Sequence, residues 1–204
     1  MLTIFTVPKP FQGHIGVIQK NAIGSWRALR PECQVILCGD EAGTAETAAA
    51  LGVETIPDVE RNRFGTPLLS SVFAAVEAKA RHDILCYVNA DILLLSDFLD
   101  AARRCAAARP RFLMVGQRWD LDVTEPIAFG AGWEAELRGG VERAGSLHPP
   151  SGSDYFVYPR GALGELPEFA VGRPGWDNWM IYRARSLRWP VIDATESARI
   201  IHQN

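Results

Sequence analysis

The stretch Ile84-Leu-Cys-Tyr-Val-Asn-Ala-Asp-Ile-Leu-Leu-Leu95 decides the fold. Ile84–Val88 is a short, mostly apolar run of the kind found in strands buried on both faces. Asn89 and Asp91 interrupt it, and Ile92–Leu95 resumes it at once. A neutral polar group left unpaired in such surroundings costs about 2–7 kcal/mol, and a charge costs more. A divalent cation that holds a diphosphate is one partner that would remove the cost. Residues two apart share a face of a strand, so Asn89 and Asp91 are expected to point the same way.

Outward from this stretch, the N-terminal half alternates strand and helix patterns. Leu2–Val7 reads as a strand ended by Pro8-Lys9-Pro10, and residues 15–29 carry Ile15, Ile18, Ala22, Trp26 and Leu29 on one helical face. Gln34–Cys38 is the next strand, followed by an Ala-rich helix over 41–51, with Gly52 as its cap, and a short strand over 53–56. Thr66-Pro67 has the order of a hydroxyl N-cap followed by proline at the first helical position, opening a helix to Ala80. Ser96 is placed to cap a helix to Arg109, and 111–116 is strand-like. The second half is less regular: a short helix over 133–138, a loop over 148–154, strand Tyr155–Tyr158, a loop over 172–179 entering a helix to Ser186, and strand Val191–Asp193. Strands separated by helices of these lengths predict an α/β domain with a mostly parallel sheet flanked by helices. Ligands of such sheets sit outside the carboxyl ends of the strands, where Thr6, Lys9, Asp40, Asn89 and Asp91 fall. No repeat or low-complexity linker divides the 204 residues, so one domain is expected.

Composition narrows the classes. The net charge of −3 offers no electrostatic case for nucleic acid or for an anionic membrane surface. No apolar run approaches the roughly 18 residues of a membrane span. Met1–Val7 lacks a basic leader and a small-residue cleavage site and reads as the first strand, not a secretion signal. Cys33, Cys38, Cys86 and Cys105 form no C-x-x-C pair and read as small buried side chains, so a reducing cytoplasm is the expected location.

Six segments together resemble one group of proteins: Thr6–Ile15 (T-V-P-K-P-F-Q-G-H-I), Asn62–Leu68, Tyr87–Asp91 (Y-V-N-A-D), Pro149–Gly161, Gly172–Trp179 (G-R-P-G-W-D-N-W) and His202–Asn204 (H-Q-N). They resemble the GT-A type nucleotide-sugar glycosyltransferases, and more narrowly a bacterial and plant glycosyltransferase-like group. The resemblance spans nearly the whole chain. It implies the GT-A, Rossmann-like nucleotide-diphospho-sugar transferase fold, with residues 1–116 as the nucleotide-binding half and 117–204 as the sugar and acceptor side. It implies a UDP- or GDP-linked sugar as donor, an unspecified acceptor, and a divalent metal, Mn²⁺ or Mg²⁺.

The resemblance also implies roles. Asn89-Ala90-Asp91 occupies the place of the Asp-X-Asp metal element, with Asn in the first position as a departure, so that Asp91 supplies the full charge. His202 matches a histidine that completes the metal site, although it lies two residues from residue 204, where chains fray. The resembling proteins continue past H-Q-N. Thr6 and Pro8 would line the base pocket, Asp40 would contact the nucleoside, and Asn62 and Arg63 would reach the diphosphate or sugar. Asp154 could receive sugar hydroxyls, Trp176 could stack on a sugar face, and Asp177 is the first choice for a catalytic carboxylate on the acceptor side. Plainer readings stand beside these. Asp40 and Asp177 also suit helix N-caps, Arg63 a solvated loop charge, Trp176 the core, and Asn89 with Asp91 a strand-end turn. Two other functions remain open on the residues: a non-catalytic nucleotide-sugar binder with a weakened metal site, and a sugar-phosphate nucleotidyltransferase. The latter needs a glycine-rich basic loop after the first strand, where this chain has one lysine and one usable glycine.

Overall fold

In a computed structural model, which describes residues 2–204, alternate residues of each long strand go to opposite faces of one sheet. Strands β1 (Leu2–Thr6), β2 (Gln34–Cys38) and β4 (Ile84–Val88) send Leu2, Ile4, Val35, Leu37, Cys86 and Val88 to one core. Phe5, Ile36, Cys38, Leu85 and Tyr87 go to the other. The apolar run of Ile84–Val88 follows from this double burial. Helices α1 (Gly13–Ala28) and α4 (Ser96–Ala108) cover the first face; α3 (Leu69–Lys79) and α6 (Trp176–Ser186) cover the second. A third helix on the N-terminal side, α2 (Thr44–Leu51), ends at Gly52 in the left-handed region at φ 64°, as its sequence predicts.

With β3 (Glu54–Ile56), β6 (Leu113–Val115), β9 (Tyr155–Pro159) and β10 (Val191–Asp193), the sheet has seven strands in the order β10-β6-β9-β4-β1-β2-β3. Pairing is parallel throughout except at β9, which runs antiparallel to both β4 and β6. A strand from the second half of the chain is thus inserted beside the first half's central strand.

A second sheet was not foreseen. β5 (Ile92–Leu94), β7 (Trp119–Leu121), β8 (Ser146–Leu147) and β11 (Ile200–Gln203) form four strands in the order β5-β11-β7-β8. It explains why Ile92–Leu95 is apolar at every position. Ile92 and Leu94 join the first core, while Leu93 and Leu95 join a third, with Leu121, Leu137, Val141 and Ile201.

β4 ends at Val88 as expected, and Asn89-Ala90-Asp91 is the strand-end turn of the plainer reading, closed by Ile92 N–H donating to the Asn89 carbonyl at 3.2 Å, so the two side chains do not share a strand face. Several other local expectations are corrected. Helix α3 starts at Leu69, not at Pro67, because Pro67 and Leu68 are held in bridges to Arg61 and Ala170. Ser96 is the first residue of α4 and does not cap it, since its hydroxyl donates to Glu134 at 2.7 Å. Helix α5 (Trp133–Ala144) runs through Gly139-Gly140 instead of stopping at 138. His202 does not fray: it lies in β11, between β5 and β7. Among the described residues no helix is long and apolar enough to cross a membrane.

Candidate functional site

A cavity of about 700 Å³ opens at the carboxyl ends of β1 and β4, where the chain leaves the large sheet for the small one. One wall is Val7-Pro8-Lys9-Pro10, directly after β1. Gln19 of α1 is buried and clamps this loop from behind, accepting from Lys9 N–H at 2.7 Å and donating to the Lys9 carbonyl at 2.9 Å. Pro8 and Pro10 have no N–H and that of Lys9 is used. The loop therefore offers no backbone amide nest to an anion, and Lys9 is its one charged residue. A second part of the lining is Val171-Gly172-Arg173-Pro174 with Trp176 and Asp177, in which Arg173 is the cation. Gly175, at φ 105°, makes the sharp entry into α6 that sets Asp177 at the rim.

The floor is the Asn89-Ala90-Asp91 turn. Asp91 Oδ1 is buried without a hydrogen-bond partner. Its other oxygen, Oδ2, lies 3.7 Å from His202 Nε2. That is too long for a hydrogen bond, so the two act on each other mainly by charge. Asp91 favours the protonated imidazole and, against burial, holds His202 above the ordinary histidine value. Gln203 fixes the last strand to this floor, with Nε2 donating to the Asp91 carbonyl at 3.0 Å and to Ile18 at 2.8 Å.

Asp154 has a different environment. Arg118 Nη1 donates to both of its oxygens, at 3.0 and 2.9 Å, and Asn89 Nδ2 donates to Oδ1 at 2.9 Å. Arg118 also donates from Nε to Asp120 at 2.9 Å, and His148 Nδ1 stands 2.7 Å from the second Asp120 oxygen. Burial alone would raise the Asp120 carboxyl, but His148 and Arg118 prevail and hold it low. Burial likewise opposes the charge on Arg118, and Asp154 with Asp120 outweighs it. A buried acid is thus neutralised here by a named partner, whereas Asp91 is left with one oxygen free.

Of the residues singled out in the sequence, Pro8, Asn89, Asp91, Asp154, Trp176 and Asp177 line the cavity, and His202 stands behind Asp91. Thr6 is buried beneath the first wall, its hydroxyl unpartnered. Asp40 is exposed, ion-paired to Arg61, and does not line the cavity. Asn62 accepts from Phe64 N–H at 2.9 Å and Thr66 N–H at 3.1 Å and so is spent on its own turn. Arg63 lies over the Phe64 ring at 4.7 Å, outside the cavity. Trp176 is mostly core, packed edge-on against Tyr87 and Phe156 at 4.8 and 5.1 Å. Tyr87 also lines the cavity, with burial keeping its phenol protonated.

Sequence reasoning passed over Arg173, Glu41, Arg118 and Asp120. Arg173 was within reach, as the only cation in Gly172-Arg-Pro-Gly; Arg118 carried no local signal. Among the described residues no group of three or more His, Cys, Asp or Glu side chains stands ready-made for a metal ion.

No protein-family model matches the chain, and no curated protein matches it. Solved structures do. GalNAc-T7 with UDP, GalNAc and Mn²⁺ superposes with a TM-score of 0.66 at 12% identity, over 100% of this chain and 43% of that one. Glucosyl-3-phosphoglycerate synthase of M. tuberculosis gives 0.56 at 16% identity, over 100% and 72%. A protein of Desulfovibrio desulfuricans assigned as a nucleotide-diphospho-sugar transferase gives 0.55 at 11% identity, over 94% and 78%. This chain spans less than half the length of GalNAc-T7. At these identities the likeness establishes the fold, the GT-A type of mixed α/β sheet, and nothing finer.

Proposed function

We propose that the chain is a metal-dependent glycosyltransferase that moves a sugar from a UDP- or GDP-linked donor to an acceptor. The observation that carries this reading is the Asp91 carboxylate, one oxygen buried without a partner, in the lining of a cavity that Lys9 and Arg173 also line. An orphaned carboxylate oxygen calls for a cation, and flanking ammonium and guanidinium groups call for phosphate. The residues present fit a divalent ion: the Asp91 carboxylate and His202 Nε2 would hold it, and an imidazole nitrogen beside a carboxylate favours Mn²⁺ over Ca²⁺. The ion, when bound, supplies charge neutralisation at the leaving diphosphate. Lys9 and Arg173 bind and orient the same phosphates. Tyr87 and Trp176 keep water from the wall between them. Asp177 has one oxygen accepting from Asn178 N–H at 2.8 Å, and takes the acceptor's proton with the other.

Thermal unfolding with UDP or GDP, each with and without Mn²⁺, tests the reading. A stabilisation that requires both nucleotide and ion is expected, and no shift with either nucleotide overturns it. A second reading, a binder without turnover, is favoured by the Asn89 amide and the absence of a ready three-residue metal group. Asp177→Asn separates the two. Under the transferase reading it spares nucleotide binding and lowers turnover by about 10²–10⁴-fold.

A further inference from the structure

Position 89 carries an amide where the common Asp-X-Asp element has a carboxylate, and its surroundings favour the amide. Asp154 accepts two contacts from Arg118 Nη1 and, on the same Oδ1, one from Asn89 Nδ2 at 2.9 Å. Its backbone joins in, since Asn89 N–H donates to the Asp154 carbonyl at 2.8 Å. A carboxylate held by a guanidinium accepts hydrogen bonds and donates none, so the NH₂ end of Asn89 must face it. The other end, Oδ1, has no protein donor and belongs to a side chain that lines the cavity beside Asp91.

We infer that Arg118 and Asp154 are positioning residues that lock the Asn89 amide so that its carbonyl oxygen, with the Asp91 carboxylate, is presented to the bound ion. The inference rests on the transferase reading and deepens it. It supplies the third oxygen or nitrogen donor that Asp91 and His202 lack. It also makes an unusual demand: a carboxylate at 89 would stand about 3 Å from that of Asp154, and like charges at that distance cannot both persist unrelieved. Restoring the common Asp-X-Asp pattern would therefore damage this site.

The test is a charge exchange read by Mn²⁺ binding in the presence of UDP, by calorimetry or by the loss of the free-ion paramagnetic signal, alongside thermal unfolding. Asn89→Asp is expected to lower the affinity about tenfold, and to lower the melting temperature, despite adding a potential ligand. The double exchange Asn89→Asp with Asp154→Asn puts the amide on the other side of the same contact and is expected to recover most of the loss. If Asn89→Asp does not fold, recovery of folding by the double exchange supports the same clamp. Tighter binding by Asn89→Asp, or a double exchange that binds or folds no better than it, overturns the inference. Failure of the unaltered protein to bind Mn²⁺ with UDP would instead bring down the transferase reading, and the clamp's role with it.

Discussion

The seven-stranded and four-stranded sheets meet at the Asn89-Ala90-Asp91 turn, and they are built on different principles. The large sheet uses strands of up to five residues whose alternation feeds two apolar cores, and its β1-β2 and β2-β3 neighbours are linked by helices α1 and α2. The small sheet collects four segments of two to four residues from positions 92 to 203. None has enough pattern of its own to announce a strand. The large sheet leads into the Lys9 loop and the floor of the cavity; the small one carries His202 and Asp120. The scaffold is thus robust where the donor would dock and assembled from distant pieces where the ion would sit.

The comparison can be broken most forcefully in the large sheet. Phe5→Ala removes a fully buried ring packed against Phe73 and Tyr87, and is expected to cost about 3–5 kcal/mol, read as one cooperative denaturant transition moved to lower concentration. Ile201→Ala, fully buried in the small sheet beside His202, is expected to cost about 2–5 kcal/mol. It should also weaken Mn²⁺-dependent UDP binding at temperatures where the protein is still folded. Equal loss of binding in both variants, once corrected for stability, would erase the distinction between the sheets.

Asp91→Ala sharpens it from the other side. It removes the one orphaned carboxylate at the junction and is expected to abolish the Mn²⁺ dependence of UDP binding, by about tenfold or more, measured calorimetrically. Arg63→Ala, outside the cavity on an exposed turn, is expected to change stability by about 0.5 kcal/mol or less and to leave nucleotide binding unaltered.

The smallest effect concerns pH. Because Asp91 holds His202 above its unfolded value, the metal-free protein gains stability from this pair that is fully present below about pH 6.5 and is lost as pH rises through the folded value. His202→Gln is expected to remove that slope from melting temperatures taken between pH 5 and 8. A slope that survives the substitution would assign it to another group.

Legibility followed the range of the interaction. Ile84–Val88, the helix face of α3 and the Gly52 cap are local patterns, and each was read correctly, whereas on α1 Ile18, Ala22 and Trp26 are buried as expected but Ile15 is exposed. Helix starts at 66 and 96 were misplaced because hydrogen bonds to distant residues, Phe169 for Leu69 and Glu134 for Ser96, overrode the local capping signals. At the site, Asn89, Asp91, Asp154, Trp176 and Asp177 were singled out and do converge, whereas Asn62 and Arg63 serve their own loop. Arg118 was missed because its meaning lies in Asp154, 36 residues away.

By itself the sequence determined which strands are buried on both faces, and hence an α/β sheet with a polar break after its central strand. That follows because burial period and turn chemistry act over a few residues. Only the tertiary structure decided which carboxylate is spent and which is free. Asp154 and Asp91 are both acids at the end of an apolar run, and what distinguishes them is a guanidinium that the chain brings back from elsewhere.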